Sequence, residues 1–227
     1  MNERDGTDPP YSPIENQFLL FPMVEKDFWN WGSVGSAVFL KNKAILAPEV
    51  SNRKGAIHTL QPNPKQDHWY AVLDFNIGRE KVKELNKSGD GLGIYYLRNF
   101  DSGSPEINSN FYGFIDDFDG VGIFINTMQT QRPESKNDKR KLVSVSSFAN
   151  DGKRMLKQSS PDMTCYKELT GKHLHFSKVA IEYEKPILSV SVYDHESATF
   201  QHCFSQQINL DYEGFFVISA SSGTIFP

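Results

Sequence analysis

Apolar and polar residues alternate with a period of two in three segments, His68 to Ile77, Phe176 to Tyr183 and Leu188 to Tyr193. This period predicts β-strands that are buried on one face. The last two segments flank Glu184-Lys185-Pro186, a short connection that is typical of a β-hairpin. No segment has a helical period over more than a few turns. The pattern therefore predicts an all-β fold, either a sandwich or a barrel.

Composition limits the classes of protein to which this chain can belong. Its 227 residues are 38 % hydrophobic, which is enough for one large β-domain. Residues 1–16 are polar and predict an extended or disordered lead-in, so we expect the domain to occupy residues 17–227. A net charge of -4 and a pI near 5.9 argue against nucleic acid as a partner, because phosphate binding requires a concentrated basic face.

Membrane and targeting signals are not evident in the sequence. No apolar run approaches the length of a membrane span, and the first ten residues contain no signal-peptide core. We therefore expect any segment that targets or anchors the natural protein to lie outside this chain.

The two cysteines, Cys165 and Cys203, are 38 positions apart. This spacing is too wide for a zinc knuckle, and there is no second pair to complete a four-ligand site. In an oxidising compartment they would form a disulfide worth about 3 to 4 kcal/mol. From composition alone, two buried free thiols are nearly as good an interpretation.

An acidic cluster at Asp116, Asp117 and Asp119 raises the possibility of a glycosidase, since these enzymes place paired carboxylates on either side of the glycosidic bond. Sandwich hydrolases present such acids alternately along one strand, with Glu among them. No Glu-x-Asp-x-x-Glu pattern occurs in the chain. The sequence therefore predicts a protein that is not an enzyme.

Two motifs carry a family resemblance. Ser88-Gly89-Asp90-Gly91-Leu92 leads into an aromatic strand, and about thirty residues later the chain reads Gly120-Val121-Gly122-Ile123-Phe124. Over residues 28–226 the chain resembles the L-type (leguminous-type) lectin domain of eukaryotic ER–Golgi cargo receptors. The resemblance implies an antiparallel two-sheet β-sandwich of the legume-lectin jelly-roll type. It also implies a disulfide between Cys165 and Cys203, because the family carries one at matching points.

The resemblance assigns a sugar-binding role to five residues. Asp90 would accept hydrogen bonds from sugar hydroxyls, which suits an ionised carboxylate because it is an acceptor only. Ser222, Gly223 and Thr224 match the family's second sugar-contacting segment, where small residues let backbone amides approach the ligand. Asn126 begins the loop, residues 126–141, that the family uses to complete the site. We expect Asp90 and this loop to lie at the same end of one sheet.

The same comparison predicts that the family's calcium ion is missing here. The family holds the ion with an Asp, an aromatic residue and an Asn, and this chain has Asn126, Met128 and Thr130 at those positions. Losing the carboxylate lowers calcium affinity steeply. We therefore expect no metal and no cofactor.

The implied function is that of a luminal domain of a membrane-anchored secretory-pathway receptor, found in the endoplasmic reticulum, the Golgi or the contiguous nuclear envelope. It would recognise high-mannose glycoproteins weakly and without calcium. An alternative is a lectin-fold domain that has lost sugar binding and engages a protein partner or a receptor oligomer. Family domains continue beyond the point where this chain ends, so we expect the domain to be truncated at its C-terminal end.

Overall fold

The computed structural model describes residues 19, 21–23, 29–48, 50–76, 91–103, 105, 107, 112–130, 142–153, 163–167 and 177–222, with the backbone alone at residues 127–130 and 142. The predicted lead-in, residues 1–16, lies outside this part of the chain. The described residues form thirteen β-strands. These are β1 (Trp31–Gly35), β2 (Val38–Leu40), β3 (Lys43–Ile45), β4 (Lys54–Thr59), β5 (His68–Phe75), β6 (Gly91–Leu97), β7 (Asp119–Thr130), β8 (Leu142–Asp151), β9 (Thr164–Lys167), β10 (Ser177–Glu184), β11 (Ile187–Asp194), β12 (Thr199–Gln207) and β13 (Phe215–Ser221).

The strands form two main sheets and a small hairpin. The larger sheet has seven strands in the order β1-β4-β13-β6-β7-β8-β9, and the smaller has four in the order β12-β11-β10-β5. Strands β2 and β3 pair with each other. All of these pairings are antiparallel. The predicted two-sheet antiparallel sandwich is confirmed, as is the hairpin of β10 and β11, which closes at the pair Glu184 and Ile187.

The main core lies between the two sheets. Alternate side chains of β6 and β7 face this core, and the side chains between them face the outer side of the sheet. The smaller sheet contributes the alternate residues of β5, β10 and β11 to the same core. The core side chains of these five strands are Leu92, Ile94, Tyr96, Val121, Ile123, Ile125, Trp69, Val179, Ile181, Tyr183, Leu188, Val190 and Val192.

Among the described residues, a disulfide and a side-chain hydrogen bond link the two sheets at one edge of the sandwich. A disulfide joins Cys165 on β9 to Cys203 on β12, with 5.6 Å between their Cα atoms, which confirms the predicted bond. Beside it, Gln206 Nε2 on β12 donates a hydrogen bond of 2.8 Å to Ser147 Oγ on β8. Both polar side chains are buried, so each satisfies the other across the core.

The outer face of the seven-stranded sheet carries a second core, called here the outer aromatic cluster. It contains Tyr95, Phe114, Phe118 and Phe124, all at most 1 % exposed, and is flanked by Phe148 and Tyr112. Phe114 and Phe118 come from the segment between β6 and β7. Gly122, in the glycine-rich motif, leaves room for this cluster, because a Cβ at position 122 would stand 2.5 Å from Cζ of Phe124. Both faces of this sheet are therefore buried near its centre.

Among the described residues, no helix has both the length and the apolar character needed to cross a membrane.

Candidate functional site

The register of five strand pairs aligns six residues across one end of the seven-stranded sheet. Gly91 on β6 pairs with Ser221 on β13 and with Asn126 on β7. Ser221 in turn pairs with Lys54 on β4. On the other side, Asn126 pairs with Ser144 on β8, and Ser144 pairs with Tyr166 on β9. We call this line of residues, from Lys54 to Tyr166, the polar row.

Asp90 lies outside the described residues, but Gly91, which follows it, begins β6 at the centre of the polar row. Gly91 has a φ of 131°, a conformation that L side chains rarely adopt. A Cβ at this position would overlap the carbonyl oxygen of Ile125 and would stand 3.0 Å from Cε1 of Tyr112. Gly91 of the sequence motif thus begins β6 at a point where only glycine fits.

Tyr112 lies beside Gly91 at the candidate site, and sequence reasoning did not identify it. Its backbone is left-handed, with a φ of 50°, and the next residue, Gly113, has a φ of 80°. The hydroxyl of Ser219 holds this turn by donating a hydrogen bond of 2.6 Å to the carbonyl oxygen of Tyr112. The ring of Tyr112 packs on Phe124 at 4.9 Å between centroids. The only sequence signal for this turn is the Tyr-Gly pair, which gives no indication that it lies beside Gly91.

Ser222 has a structural role that the sequence did not suggest. Its hydroxyl accepts a hydrogen bond of 2.8 Å from the Arg53 amide and donates one of 2.5 Å to the carbonyl oxygen of Val50. Its own amide donates to the carbonyl oxygen of Arg53 at 2.8 Å. These bonds fix residues 50–53 beside the end of β13. The predicted contacts of Gly223 and Thr224 with sugar lie outside the described residues, and the sugar contact of Ser222 stays a prediction.

Asn126 lies within a strand, and not at the start of a loop as the sequence analysis expected. Strand β7 continues to Thr130, which pairs with Leu142, and the register shifts between Asn126 and Thr130. The prediction was wrong here because the polar residues after Asn126 lack the alternation that marks a half-buried strand. Asn126 itself is half-buried and sits beside Gly91, at the end of the sheet where the family resemblance placed the site.

The polar row does not fit calcium at its described positions. Its side chains are a lysine, an amide, two serine hydroxyls and a tyrosine, and none is a carboxylate. Calcium prefers several oxygen ligands with carboxylates among them. Elsewhere in the described part of the chain, no group of three or more His, Cys, Asp and Glu side chains is arranged to hold a metal ion. The absence of a metal remains a prediction.

Comparison with known proteins relates this geometry to a family. The model of the legume-like lectin family matches residues 19–226. The chain belongs to the legume-like lectin family. The VIP36-like protein of Homo sapiens is 28 % identical over 122 residues, which cover 54 % of this chain and 32 % of that protein. An L-type lectin-like domain-containing protein of Schizosaccharomyces pombe is 25 % identical over 223 residues, covering 94 % of this chain and 67 % of that protein.

Solved structures show the same fold for this lectin domain. The exoplasmic/lumenal domain of VIP36 in its Ca2+/Man3GlcNAc-bound form aligns with a TM-score of 0.71 at 20 % identity, over 91 % of this chain and 82 % of that one. Its metal-free form aligns with a TM-score of 0.73, over 91 % of this chain and 85 % of that one. The chain spans about a third of the length of the VIP36-like proteins that it matches.

The acidic cluster of the lectin domain lies at the opposite end of β7 from the polar row. Asp119 begins β7 seven residues before Asn126, a separation of about 23 Å in an extended strand. Its Oδ2 atom accepts a hydrogen bond of 2.8 Å from Asn99 Nδ2. Nearby, Asn150 Nδ2 donates to the carbonyl oxygen of Asp116 at 3.1 Å. These contacts stabilise the turn that leads into β7.

His58 is a buried histidine on the outer face of the seven-stranded sheet. It is 2 % exposed, its ring lies against Gly32, and it makes an edge contact with Phe100 at 5.1 Å. Burial lowers the pKa of His58 below its ordinary value of 6.5, and the hydrogen bond between Nδ1 and the carbonyl oxygen of Thr59 offsets this only in part. Among the described residues, no carboxylate forms an ion pair with His58. The folded domain therefore favours the neutral imidazole.

We expect the lectin domain to lose stability as the pH falls below about 6.5. The unfolded chain takes up a proton at His58 near that pH, whereas the folded domain resists protonation, so the free energy of unfolding is highest above it. Urea unfolding of the wild type and His58→Gln at pH 7.5 and pH 5.5 measures this. The loss on acidification should be smaller in His58→Gln than in the wild type, and His202→Gln, which changes an exposed histidine, should behave like the wild type. Equal losses in all three proteins would show that His58 does not contribute.

Proposed function

We propose that this chain is the luminal lectin-like domain of a membrane-anchored secretory-pathway receptor, and that it binds high-mannose glycoproteins weakly and without calcium. The observation that carries the proposal is the pairing of Gly91 with Asn126 and Ser221. This pairing brings the backbone position after Asp90 next to Asn126, a predicted sugar-site residue, and next to Ser221, which precedes the predicted sugar-contacting segment that begins at Ser222. The site acts by binding, and the proposed function includes no catalytic step.

Two findings from related structures support this function. The lumenal domain of VIP36 has been solved with Ca2+ and Man3GlcNAc bound, and its metal-free form has the same fold as this chain. The fold thus accommodates a mannose ligand together with Ca2+ in that relative, and the fold itself persists without the metal. The segment that anchors the natural protein, and the compartment in which it acts, belong to the proposal.

Weak binding is expected from the chemistry of the site. Without a metal to order the ligand loop, Asp90 and the amides near Gly223 provide most of the polar contacts. We expect a millimolar dissociation constant for mannose, equivalent to about -4 kcal/mol. Several copies engaging one branched glycan would raise the apparent affinity.

A second function, protein recognition by a domain that has lost sugar binding, is favoured by different observations. Asn126 occupies the position at which the family resemblance places a calcium-binding carboxylate. The amide of Ser222 donates to Arg53 and is not available to a ligand. On this alternative, the partner is a protein or a second receptor subunit.

A mannose titration followed by NMR tests the proposed function. We expect shifts near Gly91 and Asn126 that saturate in the millimolar range and do not change when a calcium chelator is added. Asp90→Ala should weaken binding about tenfold or more, because it removes charge-assisted hydrogen bonds. Asp74→Ala is the matched control, since Asp74 is a carboxylate on the smaller sheet that pairs with Lys178 at 3.3 Å.

The outcomes of this titration separate the two functions. Chelator sensitivity would contradict the metal-free mechanism while leaving a lectin. No shift at tens of millimolar mannose would reject sugar binding, and a protein partner captured by the same domain would then support the alternative.

A further inference from the structure

The first three outward-facing residues of β6, counted from the polar row, are Gly91, Gly93 and Tyr95. The strand register places Gly93 between Ser219 on β13 and Phe124 on β7. Because Gly93 has no side chain, the ring of Tyr95 lies over it, and a Cβ at position 93 would stand 2.9 Å from the Tyr95 hydroxyl oxygen. The hydroxyl of Tyr95 therefore extends toward the polar row.

Ser219 connects this hydroxyl to the turn at Tyr112. Ser219 is fully buried, and its hydroxyl donates a hydrogen bond of 2.6 Å to the carbonyl oxygen of Tyr112. A serine hydroxyl has one proton, so the hydrogen bond between Ser219 and Tyr95 is donated by the Tyr95 hydroxyl. Burial raises the pKa of Tyr95 well above its ordinary value, which keeps this donor protonated. We call the chain from Tyr95 through Ser219 to the carbonyl of Tyr112 the hydroxyl relay.

The hydroxyl relay ends at a turn whose backbone is unfavourable by itself. Tyr112 and Gly113 are both left-handed, with φ values of 50° and 80°. Glycine adopts this conformation readily, but a tyrosine rarely does, because its Cβ crowds the backbone. A Cβ on Gly113 would also overlap the carbonyl oxygen of Ala220, so the turn lies directly against β13. The bond from Ser219 thus offsets the unfavourable backbone of Tyr112 and holds the turn on the sheet.

The turn in turn restricts Gly91. The ring of Tyr112 packs on Phe124 at 4.9 Å between centroids, and its Cε1 atom would stand 3.0 Å from a Cβ at Gly91. Glycine has more backbone freedom than any other residue, and Gly91, with a φ of 131°, uses a conformation that depends on that freedom. Contact with the Tyr112 ring limits this freedom at the residue that directly follows Asp90 in the sequence.

We propose that Ser219 and Tyr95 are positioning residues for sugar binding: the hydroxyl relay keeps the Tyr112 ring against Gly91 and thereby fixes the backbone that leads to Asp90. This role rests on the proposed lectin function, and neither Ser219 nor Tyr95 contacts the sugar. A site whose backbone is ordered beforehand loses less binding free energy to ordering when the ligand binds. Breaking the relay should therefore weaken sugar binding while the domain stays folded.

Titration of Tyr95→Phe and Ser219→Ala with mannose, followed by NMR, tests this role. Each variant removes one hydroxyl of the relay, and Tyr95→Phe keeps the ring in the outer aromatic cluster. We expect each dissociation constant to rise about fivefold, the effect of one ordinary hydrogen bond. The double variant should bind no more weakly than the weaker single variant, because either change breaks the same relay. In both ligand-free variants, relaxation dispersion at the Gly91 amide should show backbone exchange that the wild type lacks.

Tyr183→Phe and Ser147→Ala are the matched controls, since each removes a buried hydroxyl from the core between the sheets. The hydroxyl of Tyr183 accepts a hydrogen bond of 3.1 Å from the Leu210 amide. That of Ser147 accepts one of 2.8 Å from Gln206. Urea unfolding should show losses of stability similar to those of the relay variants. Both controls should nevertheless bind mannose as the wild type does and show no added exchange at Gly91.

The outcomes separate the positioning role from the lectin function. If the relay variants bind mannose as well as the wild type does, the positioning role is refuted and the lectin function stands. Equal weakening in the controls would refute the role as well, because binding would then follow stability. Losses that add in the double variant would show that the two hydroxyls act independently and would refute the relay. If the wild type does not bind at tens of millimolar mannose, the lectin function and the positioning role are both rejected.

Discussion

Replacing Cys165 and Cys203 together by serine is expected to lower the free energy of unfolding by about 4 kcal/mol. The bond closes a loop with a sequence separation of 38 residues, and in the chain-entropy model its main effect is to restrict the unfolded chain. The largest local loss of stability should occur at β9, a four-residue edge strand that the disulfide links to β12. Within the described part of the chain, the hydrogen bond from Gln206 to Ser147 still links the sheets near this edge.

Guanidinium unfolding with and without a reducing agent measures this effect. The wild type should fall to the stability of the double variant when it is reduced, and the double variant should not respond to the reductant. A reduced wild type that keeps its oxidised stability would contradict the expectation, and would mean that core packing alone holds the edge of the sandwich together.

Phe124→Ala is expected to destabilise the domain by about 3 to 5 kcal/mol, the range found for large aromatic truncations in a core. Phe124 is fully buried in the outer aromatic cluster. Its ring contacts Tyr95 at 5.3 Å, Tyr112 at 4.9 Å and Phe148 at 5.3 Å between centroids. The variant should also weaken any ligand binding, because Tyr112 loses the ring that supports it beside Gly91.

Phe200→Ala is the matched control for this variant. Phe200 is a half-buried phenylalanine on β12 whose ring contacts Tyr193 at the surface of the smaller sheet. Urea unfolding should show a loss for Phe200→Ala well below that for Phe124→Ala. Similar losses in the two variants would indicate that the outer aromatic cluster is not a second core.

The strands were predictable where burial is one-sided. The alternation in β5, β10 and β11 follows directly from one face in the core and one in solvent, and the hairpin between β10 and β11 followed from the short turn at Lys185. The end of β7 was not predictable in this way. Residues after Asn126 pair with β8 through an irregular register. Backbone pairing of that kind does not require alternating apolar and polar side chains, so the sequence carries no signal of it.

The site was predictable only through the family resemblance. The resemblance indicated Asp90 and Asn126 as sugar-site residues and predicted the disulfide. Composition alone did not decide whether the two cysteines form a disulfide or remain free thiols. Tyr112 was missed because its contact with Phe124 and its closeness to Gly91 depend on how distant strands align. The structural role of Ser222 was missed for the same reason, since its partners at Val50 and Arg53 are about 170 positions away in sequence.

The way in which Asn126 is held has a consequence for how such domains diverge. Its place in the sheet comes from main-chain pairing with Gly91 and Ser144, which any residue with a free amide can make. The strand pairing at this position therefore depends on the backbone and not on the identity of the side chain. Exchange of the residue in the course of divergence leaves that main-chain pairing in place.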